Sequence, residues 1–513
     1  MIVQILRRWM GWRGVMLGLG AGALVGISPA PLGAFPLAWV GLAPLWWGVM
    51  GAKTGRWRLA LAWGCGFHGL ALAWITGIHP MTWMGVPWGA SLAIALLCWL
   101  LITLWGAAVV VVWGEVMGRF APKVGWQNLL FGAALWCSLE TLWQWGPLWW
   151  SSLAYTQSPG NLALLHWGRI SGPTTVTFLL MVVNGAIAQA FLTPKRRFWA
   201  GGAISLLILI HSLGAVWSQQ PLSPGEPLKV GMIQGNIPNE IKLYPTGWSR
   251  AIAGYTTGYE TLAQQGVEVI LTPETALPFP WEELVQNHHP FYQAVERQGV
   301  PVWLGAFGQR GTSYTNSLFT ITGAGELYSR YDKVKLVPLG EYIPFQAILG
   351  GVINRLSPLD AHLAAGSPAQ LFDTPFGRAI VGICYESAFP RHFQRQAAAG
   401  GEFILTASNN AHYSPAMPAQ HHALDVMRAI ELDRWAVRAT NTGYSAIVTP
   451  HGETLWISGI NTYELHTATI ERRQTRTLYS QWGDWLSLVL GLMVLSLAYF
   501  AAQQRRRDLP RNS

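Results

Sequence analysis

A thiol and a carboxylate in this chain each follow an apolar, β-prone run, and an ammonium lies in a segment of mixed charge; acyl transfer through a covalent intermediate needs all three groups. Cys384 follows Arg378-Ala-Ile-Val-Gly-Ile383, which reads as a buried strand, and precedes Tyr385-Glu-Ser-Ala-Phe-Pro390, whose turn and helix-start signals include Ser387 as a cap. A cysteine at a strand end beside a helix N-terminus is placed for nucleophilic work. The helix dipole and a nearby cation would draw its pKa from about 8.5 toward neutrality. Alone, the segment fits an inert structural cysteine better, so its partners decide. Glu274 follows the apolar run Val267-Glu-Val-Ile-Leu-Thr272, and Lys333 lies in Tyr331-Asp-Lys-Val-Lys-Leu-Val-Pro-Leu-Gly-Glu341, where charged and apolar residues mix in a manner unusual for a surface strand. Singly, each charge reads as solvated. Together, the carboxylate can take the thiol proton and later that of an incoming amine, while the ammonium and backbone N–H groups around Tyr385 meet the tetrahedral oxyanion.

The elements that must position these groups are short β-rich runs alternating with helical stretches: 229–234, 267–272, 302–307, 317–322, 379–383, 403–408 and 444–448. That alternation predicts an α/β domain, a layered α-β-β-α arrangement with a mostly buried sheet, over residues 219–483.

The rest of the chain is different. Residues 1–218 hold nearly continuous apolar runs, and the 513-residue chain as a whole is 51% hydrophobic and only 12% charged. A bilayer core of about 30 Å takes roughly 20 apolar helical residues. Stretches of that kind fall near 15–31, 33–51, 59–78, 87–117, 126–147, 171–193, 198–217 and 484–503, the fifth interrupted by Glu140 and Gln144. About seven transmembrane helices are thus expected in 1–218, and one more before a basic tail in 484–513. Arg7, Arg8 and Arg13 precede the first stretch; Lys53, Arg56 and Arg58 follow the second; Arg119 and Lys123 follow the fourth; Lys195, Arg196 and Arg197 follow the sixth; Arg505, Arg506, Arg507 and Arg511 end the chain. Positive loops stay cytoplasmic, so both termini are expected there and 219–483 on the opposite, extracytoplasmic face. Removal of the first stretch as a signal peptide would upset this alternation.

The formal charge of +9 comes from basic residues clustered between apolar runs, not from a stripe interleaved with aromatics, so no nucleic-acid partner is expected. Of four cysteines, Cys65, Cys98 and Cys137 lie in apolar runs as small hydrophobes, and no disulfide framework is implied. His288-His289, His412 and His421-His422 lack the spacing and the Cys or acidic partners of a metal site, so no metal is expected. Trp145 and the segment 149–157 read as an aromatic interface belt, with a wall for lipid access as the alternative.

Three motifs in order carry a resemblance: Pro273-Glu274-Thr275, Tyr331-x-Lys333-x-x-Leu336-x-Pro338-x-x-Glu341, and Gly382-Ile383-Cys384-Tyr385-Glu386. The chain resembles the carbon-nitrogen hydrolase (nitrilase) superfamily and, within it, the apolipoprotein N-acyltransferase family. The match extends to Gln234-Gly-Asn-Ile-Pro238, Arg438-Ala-Thr-Asn-Thr-Gly443, Tyr155-x-Gln157-Ser158-Pro159 and Gly172. The resemblance implies Glu274 as general base, Lys333 as charge stabiliser, Cys384 as acylated nucleophile and Glu341 as a supporting acid, with Tyr385 and Glu386 as further site residues. Lys335 rivals Lys333, since a strand would turn both to one face, but it takes the variable slot of the motif. The chain departs from the pattern at Leu243 and Tyr244, where a tryptophan is frequent. It departs again at Asn410 and His412-Tyr413, where an aspartate and a Trp-Phe pair are more usual.

The resemblance implies that Cys384 takes a fatty acyl group from a membrane phospholipid of the phosphatidylethanolamine kind as a thioester. It then passes the group to the α-amine of diacylglyceryl-cysteine on an apolipoprotein in a bacterial inner membrane, with no cofactor; a chain that encloses its own site is expected to act as a monomer. A membrane-tethered amidase with water as second nucleophile is the nearest rival, against which several spans argue, since a tether needs one. A transporter or scaffold is the other, against which the intact motifs argue.

Overall fold

The computed structural model describes residues 12–122, 125–146, 148–338, 340–342, 363–411 and 413–507. The expectations that rested on Arg7, Arg8, Lys123, His412, Arg511 and the side chains of Arg505, Arg506 and Arg507 lie outside the described residues. The chain divides into two compact units, one of residues up to 76, 93–220 and from 482 on, the other of residues 77–92 and 221–481.

Helices α1 (Trp12–Gly26), α2 (Ala43–Gly51), α3 (Arg56–Ala71), α4 (Trp88–Phe120), α5 (Trp126–Trp143), α6 (Pro173–Leu192), α7 (Arg196–Ser218) and a C-terminal helix (Trp485–Arg507) occupy the apolar stretches. Among the described residues four are long and apolar enough to cross a bilayer: α4, α6, α7 and residues Trp485–Gln503. The others are shorter, α1 with 15 residues, α2 with 9, α3 with 16 and α5 with 18. The 33–51 stretch breaks because Pro36 and Pro44 lack the N–H that would continue a helix. A 3-10 turn (Phe35–Trp39) ends there, and α2 restarts with the Leu42 and Ala43 N–H groups both donating to Asn184 Oδ1 at 3.0 Å. Glycine lets α1 and α3 touch: a methyl on Gly22 would meet the Trp63 carbonyl oxygen at 2.0 Å. Trp149 and Trp150 are buried instead of forming an exposed belt, Trp150 lying tilted on Trp74 with ring centroids 5.2 Å apart, whereas Trp145 is 66% exposed.

The second unit is a sandwich of two sheets. In the first, β1 (Glu226–Gln234), β2 (Val269–Leu271), β4 (Val302–Arg310), β5 (Ser313–Ile321) and β6 (Leu327–Asp332) run in the order β13-β1-β2-β4-β5-β6, with β13 (Glu464–Arg472) on one edge and β3 (Leu277–Pro280) also paired to β4. The second contains β7 (Phe372–Thr374), β8 (Gly377–Ile383), β9 (Phe403–Ser408), β10 (Ala436–Thr440), β11 (Ala446–Val448) and β12 (Thr454–Ile457), in sequential order across the sheet. Because strand side chains alternate, Val269 and Leu271 enter the core between the sheets with Val381, Leu405 and Val437. Ile270 faces the other way, against α8 (Pro245–Gln264) and α9 (Pro290–Gln298), in a core with Tyr259, Leu262, Phe291 and Val295. Helices α10 (Pro390–Ala398) and α11 (Ala416–Leu432) accompany the second sheet, giving the α-β-β-α layering. The seven strand runs read from the sequence lie on β1, β2, β4, β5, β8, β9 and β11. The sequence reading did not include β3, β6, β7, β10, β12 or β13. β13 pairs with β1 along its whole length, from Glu226 opposite Arg472 to Gln234 opposite Glu464, yet its half-exposed polar residues give no clear apolar period.

Glu140, the interruption noted in the fifth apolar stretch, lies buried in the first unit with both carboxylate oxygens occupied. Trp136 Nε1 and the Leu153 N–H donate to Oε1 at 3.0 and 2.8 Å, and the hydroxyls of Ser152 and Thr177 to Oε2 at 2.8 and 3.1 Å. One carboxylate thereby ties α5, the 152–153 segment and α6 together, with no water needed to satisfy it. Glu140→Ala, which orphans four donors, is expected to cost about 2–4 kcal/mol, and Glu140→Gln less. Thermal unfolding of the purified protein in detergent reads the difference, and equal midpoints for wild type and Glu140→Ala would contradict this account.

Candidate active site

The candidate residues come from loops at strand ends in both sheets. Glu274 sits in the turn between β2 and β3, Lys333 directly after β6, Cys384 directly after β8, and Asn409 directly after β9. Loops at strand ends escape the ladder, so their side chains are free to converge.

Lys333 is the centre of the site. Its side chain is 1% exposed, and its ammonium donates at 2.9 Å to Glu274 Oε1 and at 2.9 Å to Glu341 Oε1. The amide of Asn316, in the middle of β5, donates to the same two oxygens at 2.7 and 2.9 Å. The second oxygen of Glu274 accepts the Asn409 N–H at 2.8 Å, and the second oxygen of Glu341 accepts the Val337 N–H at 2.7 Å. Burial pushes the Glu274 carboxyl up, but Lys333, then Lys242 and Asn316, hold it below the ordinary carboxylate value. Burial would lower the Lys333 ammonium, yet Glu274 and Glu341 keep it well above its usual range. The pair is therefore ionised at neutral pH.

Lys335 does not compete for this place. β6 ends at Asp332, so strand alternation does not extend over 333–335, and the Lys335 ammonium lies 4.9 Å over the ring of Phe389.

Cys384 is buried, 6% exposed, and its φ of +52° falls in the left-handed region, a conformation costing about 1–3 kcal/mol for a residue with a side chain. Its thiol faces the Asn409 carbonyl oxygen at 3.8 Å. Two expectations change here. Ser387 is no helix cap: a five-residue 3-10 turn, Cys384–Ala388, precedes α10, which starts without a side-chain cap. The thiol is also not drawn toward neutrality. Burial, and then the Glu274 carboxylate, push it up to about 12, and the opposing pull of Lys333 is smaller. Without a full α-helix beginning at the thiol, no strong dipole offsets the cost of burying a thiolate.

Glu386 joins the two loops that matter most. Its Oε1 accepts the N–H groups of Val334 and Lys335 at 2.6 and 3.0 Å, and its Oε2 accepts the Ile383 N–H at 2.8 Å and the Tyr331 hydroxyl at 2.9 Å. Fully buried, it fixes the lysine loop to the cysteine turn. Tyr385 stands edge-on to Phe389 at 5.0 Å. Behind the turn, His421 Nε2 bonds the Cys384 carbonyl oxygen at 2.8 Å, and Asn410 links His421 Nδ1, at 3.1 Å, to Arg438, at 3.3 Å. Asn410 thus belongs to the support under the cysteine turn. Leu243 is half-buried and Tyr244 48% exposed.

Three residues near the candidate groups escaped the sequence reading: Asn316, Asn409 and Lys242. Lys242 is 5% exposed, and its ammonium donates to the Glu274 carbonyl oxygen at 3.1 Å and to Thr275 Oγ1 at 2.9 Å. Asn316 stands between Thr315 and Ser317 in the polar half of β5, so its residue type gave no signal against its neighbours. Of the histidines, His289 accepts the Phe291 N–H at the start of α9, and His422 pairs with Thr454; among the described residues no metal-binding cluster of His, Cys, Asp and Glu occurs.

Two family models match the chain: carbon-nitrogen hydrolase over residues 229–479 and apolipoprotein N-acyltransferase N-terminal domain over residues 21–186. The chain is 58% identical to the apolipoprotein N-acyltransferase of Nostoc sp., covering 92% of this chain and 96% of the relative. It is 51% identical to that of Synechocystis sp. (93% and 98%) and 31% to that of Pseudomonas aeruginosa (87% and 88%). A solved amidase from Nesterenkonia sp. aligns over 50% of this chain and 95% of its own, with a TM-score of 0.39 and 17% identity.

The electrostatics of the thiol generate a signed expectation. Alkylation of Cys384 by iodoacetamide, followed by intact mass with Cys384→Ala as blank, should rise with pH toward a midpoint near 12. Glu274→Gln removes the carboxylate that raises the thiol, so its midpoint falls; Lys333→Met removes the cation that lowers it, so its midpoint rises. Shifts of the opposite sign would refute the assignment of causes.

Proposed function

The chain belongs to the apolipoprotein N-acyltransferase family, and from that membership we propose that Cys384 carries a fatty acyl group from a membrane phospholipid to the N-terminal amine of a diacylated lipoprotein. The observation that carries this reading is the buried Lys333 ammonium held between Glu274 and Glu341, with the Cys384 thiol in the same electrostatic neighbourhood.

In the first half-reaction Cys384 Sγ attacks the ester carbonyl as Glu274 takes the thiol proton. This division of labour suits a thiol that is protonated at rest and a carboxylate that is ionised. The tetrahedral oxyanion is met by Lys333 and by backbone N–H groups at the cysteine turn. Collapse breaks the ester C–O bond, and the lysophospholipid alkoxide leaves with the proton held by Glu274. In the second half the free amine attacks the thioester, Glu274 takes the amine proton, and the C–S bond breaks to return the thiol. The cycle is ping-pong and balances with no cofactor, because the thioester carries the activated acyl group. Glu341 keeps Lys333 charged and oriented; Glu386 and Tyr385 belong to the wall of the cysteine turn.

Both substrates carry acyl chains whose exposure to water costs about 0.8 kcal/mol per CH₂, which gives the apolar helices before residue 218 and after 484 their purpose. The reading places the chain in a bacterial inner membrane, with its catalytic domain extracytoplasmic, both termini cytoplasmic, and one copy sufficient.

Incubation with phosphatidylethanolamine and no acceptor should add one fatty-acyl mass to wild type and none to Cys384→Ala. Addition of a peptide bearing diacylglyceryl-cysteine should discharge it much faster than buffer alone. Absence of the mass gain refutes acyl transfer, and discharge at the same rate by water makes the protein a hydrolase.

A further inference from the structure

The general base proposed above sits in a turn that is strained and held from outside. Thr275, the next residue, has a φ of +43°, a rare place for a β-branched side chain. On one side the turn lies flat on β4, where a methyl on Gly305 would meet the Pro273 carbonyl oxygen at 1.9 Å. On the other side stands Lys242, donating to the backbone oxygen of Glu274 and to the hydroxyl of Thr275.

Lys242 is buried although both of its acceptors are neutral. An ammonium out of water normally needs a carboxylate in contact, and a methionine would fill the same volume without the desolvation cost. The groups that face it are Glu274 from the turn after β2, Cys384 from the turn after β8 and Lys333 from the loop after β6. Burial brings its pKa down to about 8, and Glu274 opposes that fall. The arm that carries it is itself pinned. Asn441 accepts the Asn236 and Ile237 N–H groups at 2.7 and 2.9 Å, returns a bond to the Ile237 carbonyl at 2.7 Å, and donates at 3.1 Å to Asn409, whose N–H holds Glu274. Together with the backbone from Ile237 to Lys242, these hydrogen bonds close a circuit around the base.

We propose that Lys242 is a positioning residue for Glu274: it clamps the strained turn that aims the carboxylate and supplies a second positive charge that keeps the carboxylate ionised. The proposal rests on Glu274 acting as the base.

Its test is the pH dependence of acyl loading by full-length protein in detergent with phosphatidylethanolamine as donor. Lys242→Met should slow loading about a hundredfold with the donor KM nearly unchanged. It should also move the acid limb of the profile up by about one pH unit, because loss of a cation raises the Glu274 pKa. Lys242→Arg should restore the limb. A purely structural lysine would slow loading and leave the limb in place, and either that result or an unchanged rate overturns the proposal. Lys242→Gln, which retains donors and loses only charge, carries the same test if the methionine variant does not fold. Iodoacetamide alkylation of Cys384 at pH 7 needs no lipid and should be severalfold slower in Lys242→Met than in wild type or Lys242→Arg, because a neighbouring cation favours the thiolate. Equal alkylation rates count against the proposal. Failure of wild type to gain acyl mass sinks the acyl-transfer reading and leaves this comparison standing.

Discussion

A buried ammonium between two carboxylates is the interaction on which the catalytic domain depends. Lys333, Glu274 and Glu341 are withdrawn from water, and a lone charge in such surroundings would be neutralised or would unfold its loop. The arrangement is stable because each charge is answered: Lys333 by two carboxylates, the carboxylates by Asn316 and by backbone N–H groups, and the remaining negative charge by Lys242 nearby. Two carboxylates and two ammonium groups leave the pocket close to neutral while the thiol keeps its proton. The thiol is raised by its burial and then by Glu274, and this balance leaves no net positive charge to reverse the effect, which fits the proposed use of a base in place of a resting thiolate.

Such a cluster cannot be built on one element. Glu274, Asn316 and Lys333 come from the first sheet and Cys384 and Asn409 from the second, so the sandwich must hold both sheets in register to within hydrogen-bond tolerance. Glu386 does this locally, with four donors from Tyr331, Val334, Lys335 and Ile383, and Asn409 does it through its N–H on Glu274. The strained backbone at Thr275 and Cys384 is tolerated because the surroundings over-determine it. The helical unit uses the same device at Glu140, where one carboxylate binds three segments in an otherwise apolar setting.

Much of this was legible in the residue string. Apolar runs located the helices, and β-rich runs located seven strands, because burial and pleat impose periods that a sequence displays. Glu274, Lys333 and Cys384 stood out by residue type and placement, and Glu341 through the resemblance to the family motif. The half-exposed strand β13 and the short β10 did not, since their identity comes from the neighbours they pair with.

Chemical inventory was therefore a property of the sequence: a thiol, a carboxylate, an ammonium and an apolar half. Tertiary structure decided which lysine enters the pocket, that Lys242 joins Lys333 there, that Asn316 and Asn409 hold the carboxylates, and which way the thiol pKa moves. These depend on distances of about 3 Å between residues from 32 to more than 100 positions apart, and on how much water reaches them, quantities that no local pattern of residues encodes.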